Sequence, residues 1–292
     1  MVLSIGAGAV APVEAASAHG RSRPVFRGLQ ALPQERFVAI LGGSATFGKG
    51  INDPYPDLVQ AATGIPVVNL GVQNGGPDVY LSDPEVLARI SRAEMAVVQL
   101  TGAETVSNPF YRVHTRRNDR FLAATPALRG LFPEVDFTEI HFTRHLLQVL
   151  SQADGDRFAV VATALKATWV QRMQSLLVHL PLRRRLLWWS DGTPPDRADS
   201  LGAGTGPQLV DAGMLDKLRP LAGEAIVVVP GREARNREAG AAADRPGDKM
   251  INCLPGPAAH HDVAAAIGPE VLALLRRGRR PPLILHQADA VR

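Results

Sequence analysis

The sequence predicts an α/β domain: a three-layer α/β/α sandwich around a central, mainly parallel sheet of five strands. Short apolar runs recur along the chain and end at glycine or polar residues, as strands buried on both faces do. Amphipathic helical patterns separate consecutive runs, and the connections between them are tight. Strand, helix and strand in this order form βαβ units, which build parallel sheets with right-handed crossovers.

The first half of the chain carries three of the five predicted strands, at residues 37–41, 65–70 and 95–100. The helix between the first two is predicted to begin at Asn52 or Asp53 and to end at Gly64, because these residue types cap helices. Ser82 or Asp83 is the predicted cap of the helix that precedes the third strand. The repeated pattern indicates two consecutive βαβ units.

The second half is predicted to contain helices at residues 137–150, 158–180, 214–221 and 260–275, and strands at residues 186–189 and 225–229. We expect one domain over residues 31–280, with a helical insertion at about 108–180. Residues 1–30 are expected to form a loosely ordered extension, and residues 281–292 a C-terminal tail.

The composition excludes several classes of protein. Hydrophobic residues make up 46% and charged residues 21% of the 292 residues, as in a globular protein with a sizeable core. The 32 basic and 28 acidic residues leave a net charge of +4, too small a surplus to indicate a nucleic-acid-binding surface. The single cysteine, Cys253, excludes an intramolecular disulfide. No apolar stretch approaches the roughly 20 residues that span a bilayer, so we predict no integral membrane segment.

The N-terminal segment leaves two interpretations of the compartment open. The small residues at 15–18 resemble the region before an export cleavage site. However, no Lys or Arg precedes Arg21, and Glu14 interrupts the apolar run that an export signal requires. We expect a cytoplasmic protein, with a weak export signal as the alternative.

The turn after the first predicted strand is the leading candidate for chemistry, because open α/β sheets bind ligands beyond the carboxyl ends of their strands. A phosphate-binding loop is one interpretation, since Gly43 and Lys49 have suitable positions, but Gly50 stands where that loop has a Ser or Thr for magnesium. The interpretation we favour is nucleophilic: the turn presents the Ser44 hydroxyl at the sheet edge, and the Ser44 amide can bind an oxyanion. A simple turn residue is the remaining alternative.

Three segments resemble sequence blocks of the SGNH (GDSL-like) hydrolases, at residues 42–48, 67–72 and 97–104. The resemblance implies a flavodoxin-like fold and a serine nucleophile at Ser44. The whole pattern also resembles an uncharacterised bacterial family of SGNH-like proteins, which implies no particular substrate.

The resemblance also implies an oxyanion hole and a binding pocket. Gly43 occupies a position where Asp is commoner in that family, and Gly71 matches the glycine whose amide contributes to the oxyanion hole. Glu104 stands where the family has its oxyanion-binding Asn, and Asn108, one turn further on, can substitute for it. Asn74 belongs to a strong turn that we expect to line the pocket.

The catalytic base is predicted close to the last helix. His260 is the best match to the histidine of the Asp-x-x-His motif of the family, but Pro257 replaces the Asp. Asp262 can orient the imidazole only if the loop is arranged differently. A capping or surface role for His260 remains an alternative.

Two further groups of residues have candidate roles. A polar, basic loop follows the third block and is expected to overhang the same edge, where it can hold an anionic or sugar substrate or form a solvated surface. The loop also contains Asn118 and Asp119, and its candidate contacts are Tyr111, His114, Arg116 and Arg117. His141 and His145 have the spacing of metal ligands on one helical face, but no third ligand is evident. We therefore predict no metal site and no cofactor.

The sequence thus predicts a serine esterase or acyltransferase that acts on an acylated small molecule or glycan. Ser44 would attack the acyl carbon, and His260 would accept its proton. The alternative is a catalytically degenerate binding or accessory protein with the same fold, which the missing Asn and Asp favour. The expected partner is the small-molecule or glycan substrate, without nucleic acid; the oligomeric state is not predicted.

Overall fold

A computed structural model describes residues 26–27, 36–202, 206–231 and 254–276, with side chains up to residue 273. The expected N-terminal extension lies almost entirely outside the described residues, and the expected C-terminal tail lies entirely outside them.

The described strands are β1 (Val38–Gly42), β2 (Val67–Gly71), β3 (Met95–Gln99), β4 (Tyr111–Val113), β5 (Phe121–Ala124), β6 (Arg184–Trp189) and β7 (Ile226–Val228). The described helices are α1 (Ser44–Phe47), α2 (Tyr55–Thr63), α3 (Pro77–Leu81), α4 (Pro84–Ile90), α5 (Pro126–Leu131), α6 (Thr143–Ala153), α7 (Gly155–Val178), α8 (Ala212–Ala222) and α9 (Pro257–Arg276). A short 3-10 turn spans Ala103–Thr105.

Five strands form one parallel sheet in the order β2-β1-β3-β6-β7. Numbered along the sheet-forming strands alone, this is the order 2-1-3-4-5 of flavodoxin-like folds. The predicted fold class and number of strands are confirmed. All five strands end at the same edge of the sheet, so the residues that follow them share one surface.

Both faces of the sheet are buried, because neighbouring residues of a strand point to opposite faces. In β1, Val38 and Ile40 belong to one apolar core, and Ala39 and Leu41 belong to the other. The first core is completed by side chains from α2 and α9, such as Val59, Val263 and Ile267. The second core is completed by α4, α7 and α8, with residues such as Val86, Leu165, Trp169 and Leu218. The fold therefore has the predicted three layers.

The segment predicted as a helical insertion also contains an antiparallel hairpin of β4 and β5. Helix α6 begins at Thr143, later than the predicted residue 137. The reason is a pair of backbone contacts: the Phe121 amide donates to the His141 carbonyl (3.0 Å), and Arg120 pairs with Phe142 in an isolated bridge. Residues 141–142 are thereby held extended beside β5.

The two helix caps predicted in the first half have different outcomes. Asp83 accepts hydrogen bonds from the amides of Glu85 and Val86 and caps α4 as expected. The cap of α2 is Pro54, which has no side-chain acceptor, so the prediction of Asn52 or Asp53 is wrong. The acceptor at this helix end comes from a distant part of the chain, described below.

Candidate functional site

Ser44 lies directly beyond the carboxyl end of β1, as the first residue of α1, and is half-buried. Its Oγ accepts a hydrogen bond from the Asn74 amide (2.9 Å) and donates one to Asn74 Oδ1 (3.0 Å). Asn74 has a φ of 55°, a left-handed conformation that Asn adopts more readily than most residues. The structure thus brings together two of the predicted site residues, Ser44 and Asn74.

The buried side-chain amide of Gln99 holds the turn that carries Ser44. Gln99 Oε1 accepts hydrogen bonds from the Gly43 amide (3.0 Å) and from Thr46 Oγ1 (3.2 Å). Because the Gly43 amide is already paired, it does not provide a donor for a ligand. Sequence reasoning missed Gln99, although it is the one polar residue in the apolar run at residues 95–100.

Two of the predicted oxyanion donors are paired within the fold. The Gly71 amide donates to Asn69 Oδ1 (2.9 Å). Asn108 is buried, and its side chain bonds the Val106 carbonyl and the amides of Phe110 and Tyr111. The structure therefore differs from the expectation for both residues, because the Gly71 amide and the Asn108 side chain are paired inside the fold. The donor that does reach the Ser44 oxygen is the Asn74 amide.

The absence of a side chain at Gly71 serves packing. A Cβ there would lie 2.3 Å from the backbone nitrogen of Phe47 in α1. Glycine at this position therefore allows β2 and α1 to approach closely, and this contact keeps the Ser44 turn against the sheet.

Glu104 lies in the 3-10 turn after β3, and its carboxyl oxygen Oε2 is buried without a hydrogen-bond partner among the described residues. Burial raises the pKa of Glu104 to about 7, and nearby Arg144 opposes this effect only partly. Below that pH the carboxyl is neutral and can donate a hydrogen bond. A carboxylate beside an oxyanion would repel it, and for Glu104 this repulsion applies only above about pH 7.

A groove of about 480 Å³ lies beside Arg144, between the ends of α6 and α7 and the loop after β6. Its lining combines polar and apolar groups, including Arg144, Gln148, Phe158, Asp199 and Leu201. The volume falls within the range of small-molecule sites, about 300–1,000 Å³. Arg144 lines the groove and also lowers the pKa of Glu104, so this one side chain acts on both.

The predicted substrate loop contacts the Ser44 turn through Asn118. The Asn118 amide donates to the Asn74 carbonyl (2.8 Å), and Asn118 Oδ1 accepts from the Gly76 amide (2.6 Å). Asn118 is fully buried, and it also bonds the His114 carbonyl. It therefore ties the loop to the turn that holds Asn74.

The residues of this loop that were predicted to contact a substrate differ in their surroundings. Tyr111 is fully buried, with its hydroxyl bonded to the Glu104 carbonyl (3.1 Å), so it is not available to a substrate. His114 Nδ1 accepts from the amides of Arg116 and Arg117, which shapes the loop. Arg117 is exposed and Arg116 half-buried.

His260 lies in the first turn of α9 and is 1% exposed. Its Nδ1 accepts a hydrogen bond from the Tyr55 amide (3.0 Å) at the N-terminus of α2, which supplies the acceptor that Pro54 lacks. The ring also stacks on Tyr55 and meets Trp189 edge-on. Burial lowers the pKa of His260 to about 4, so the ring is neutral at pH 7.

No hydrogen bond joins Ser44 to His260 in the part of the chain that the structure describes. Because Nδ1 is an acceptor, the proton of the neutral ring is on Nε2. A general base of the serine-hydrolase type needs the opposite tautomer, with Nδ1 protonated and Nε2 free to accept the serine proton. Pro257, which replaces the expected Asp, cannot accept a proton from Nδ1 and so cannot favour that tautomer.

Within the described ranges, no group of three or more His, Cys, Asp or Glu side chains could hold a metal ion, His141 and His145 included. None of the helices in those ranges is long and apolar enough to cross a bilayer.

Comparison with known structures finds several of similar organisation at low sequence identity. A lipase from a goat rumen metagenome is 12% identical, covering 80% of this chain and 97% of its own, with a TM-score of 0.40. The psychrotrophic esterase EstA from Pseudoalteromonas sp. is 9% identical, covering 83% and 100%, with a TM-score of 0.41. A lipase/acylhydrolase from Enterococcus faecalis is 15% identical, covering 82% and 96%, with a TM-score of 0.38. A search of curated protein sequences finds no match.

A protein-family model described as a domain of unknown function, DUF6473, matches residues 5–275. This match covers the described sheet, the Ser44 turn and the helix that carries His260. It agrees with the prediction of an uncharacterised family. The chain belongs to the DUF6473 family.

Proposed function

We propose that this protein binds an acylated small molecule or glycan at the carboxyl edge of its sheet and does not turn it over through Ser44. The hydrogen bond from the Tyr55 amide to His260 Nδ1 carries the proposal. It keeps the proton on Nε2, the nitrogen that a serine base needs free. In a serine protease, an enforced wrong tautomer lowers kcat by about 10⁴.

The surroundings of Ser44 support the same conclusion. Its hydroxyl donates to Asn74 Oδ1, an amide oxygen that cannot remove a proton at neutral pH. The buried imidazole has its pKa lowered to about 4, which makes it a weak base at pH 7. An unactivated serine hydroxyl is a poor nucleophile.

The binding side of the proposal is supported by the groove beside Arg144. Its size suits a small molecule, and its polar and apolar lining suits a ligand that carries both an acyl chain and hydroxyl groups. Glu104, whose carboxyl is neutral below about pH 7, and Asn74, beside Ser44, add hydrogen-bonding groups at the carboxyl edge of the sheet.

A serine esterase or O-acyltransferase is the second candidate. The position of Ser44 at the end of β1 favours it. Turnover would require the His260 ring to leave the Tyr55 amide and to present an unprotonated nitrogen to Ser44.

Labelling with a fluorophosphonate probe distinguishes the two candidates. The wild-type chain, Ser44→Ala and Ser82→Ala are treated in parallel with an active serine esterase, and hydrolysis of p-nitrophenyl acetate is measured on the same samples. Ser82 is an exposed serine whose hydroxyl donates to the Val79 carbonyl of the preceding helix, so its variant is the matched control. Circular dichroism verifies that each variant is folded.

The binding proposal predicts equal, background labelling and equal hydrolysis in all three samples. Labelling that is present in the wild type and in Ser82→Ala but lost in Ser44→Ala would overturn it in favour of the esterase.

A further inference from the structure

Two rings in contact at the carboxyl edge of the sheet each carry a buried nitrogen donor without an acceptor. Trp189, the last residue of β6, is 5% exposed, and His260 is 1% exposed. Trp189 Nε1 and His260 Nε2 have no hydrogen-bond partner among the described residues. The two rings are in contact, with centroids 5.0 Å apart and planes at 82°. Buried polar groups are nearly always paired, so two adjacent exceptions indicate an occupant.

The chemistry of the two atoms restricts that occupant. An indole nitrogen can only donate. His260 Nε2 also donates, because Nδ1 accepts from the Tyr55 amide and the ring is neutral. The occupant must therefore offer an acceptor atom to each donor, and the contact between the rings keeps the two donors on neighbouring groups.

The charge around the two rings favours an anionic acceptor. Both rings adjoin the first turn of α9, whose N-terminus carries the positive end of the helix dipole. The charges of Arg27 and His261 act on His260 and lower its pKa. Asp262, the acidic residue in the same turn, is exposed and accepts a hydrogen bond from the Gly231 amide (3.2 Å). The Pro255 carbonyl favours the protonated ring but forms no hydrogen bond with Nε2.

We propose that Trp189 Nε1 and His260 Nε2 form a binding site for a small carboxylate, whose carboxylate group accepts a hydrogen bond from each nitrogen. The site lies on the α2 and α9 side of the sheet, whereas Ser44 is bonded to the turn after β2. It rests on the same hydrogen bond from the Tyr55 amide to His260 Nδ1 as the function proposed above. Neither donor requires Ser44 to react or to remain inert, so the two proposals fail in different experiments.

The three tryptophans of the chain allow a direct test with internal controls. Trp169 Nε1 donates to the Thr101 carbonyl (3.1 Å), and Trp188 Nε1 donates to the Gly192 carbonyl (2.7 Å). Only the Trp189 indole lacks an acceptor within the described ranges. The three indole N–H signals of the ¹⁵N-labelled full-length chain are followed by NMR during titration with sodium acetate, with sodium chloride as the control for ionic strength.

The expected result is a saturable shift of the Trp189 indole signal with acetate, while the other two signals stay in place. Trp189→Phe identifies the signal by its loss. His260→Gln is expected to weaken the apparent affinity of the response at least tenfold, and Trp188→Phe is expected to retain it. The absence of a saturable Trp189 shift would overturn the proposal, as would an equal shift with chloride or an equal shift of all three indoles.

Discussion

The neutral carboxyl of Glu104 makes a testable contribution to stability. Its pKa is about 7 in the folded chain and close to the ordinary value of 4.5 in the unfolded chain, because burial disfavours the charged form. Between these values the folded chain binds more protons than the unfolded chain. The contribution of Glu104 to stability is therefore fully present below about pH 4.5 and is lost as the pH rises to about 7.

The size of the effect follows from the two pKa values. At about 1.36 kcal/mol for each pH unit, a rise from 4.5 to about 7 corresponds to a loss of about 3 kcal/mol from the free energy of unfolding. This is an upper bound, because part of the Glu104 side chain is exposed even though Oε2 is buried. Glu104→Gln keeps the shape and removes the titration. It should therefore be close to the wild type at pH 4.5 and more stable at pH 8, by up to about 3 kcal/mol.

The assay is urea unfolding of both chains at several values from pH 4.5 to 8, at constant ionic strength. The effect of His260 has the opposite sign. Its pKa is lowered from 6.5 to about 4 in the folded chain, so the free energy of unfolding falls as the pH falls from about 6.5 to about 4. Because both chains contain His260, its effect cancels in the difference between them. Glu139→Gln, at an exposed position, is the control and should follow the wild-type curve. A difference between Glu104→Gln and wild type that stays constant with pH would refute the reasoning.

Two further predictions concern the support of the Ser44 turn, and both are measured by urea unfolding. Gly71→Ala should destabilise the fold by about 1–3 kcal/mol, because its Cβ would meet the backbone of α1; Gly130→Ala, in a helix with open space around it, should be neutral or stabilising by up to about 1 kcal/mol. If Gly71→Ala matched Gly130→Ala, the close approach of β2 and α1 would not be real. Tyr80→Phe should cost about 1–3 kcal/mol, because the hydroxyl bonds the amide and carbonyl of the last residue of β1 and the carbonyl of Leu70. No loss of stability in Tyr80→Phe would contradict a buried bonding role for this hydroxyl.

Local sequence patterns were sufficient to predict the five strands of the sheet. The strand at residues 95–100 and its neighbours were predicted within one or two residues, because short apolar runs that end at glycine or polar residues have few other structures available. The hairpin of β4 and β5 was not predicted. Its strands have only three and four residues, so they offer little pattern to recognise. The segment at residues 141–142, which lies beside β5, is held by contacts with residues about 20 positions earlier in the chain, and no local pattern shows these contacts.

The candidate site was predictable only in part. Ser44 and Asn74 were identified from turn chemistry, and the structure joins them. Gly71 and Asn108 were assigned as donors for a ligand, but both are used inside the fold. A residue type in a motif shows that a hydrogen bond can be made, whereas the choice of partner depends on which groups the fold brings within about 3 Å.

The sequence by itself determined the fold class, the position of a serine at the end of the first strand and the absence of an Asp three residues before His260. These are properties of order and spacing along the chain. Only the tertiary structure decided the protonation of the two titratable groups, Glu104 and His260. Burial raises the pKa of one and lowers that of the other, and an amide from α2, 205 residues away, selects the imidazole tautomer. Desolvation and long-range pairing arise only once distant segments pack together, so no local pattern encodes them.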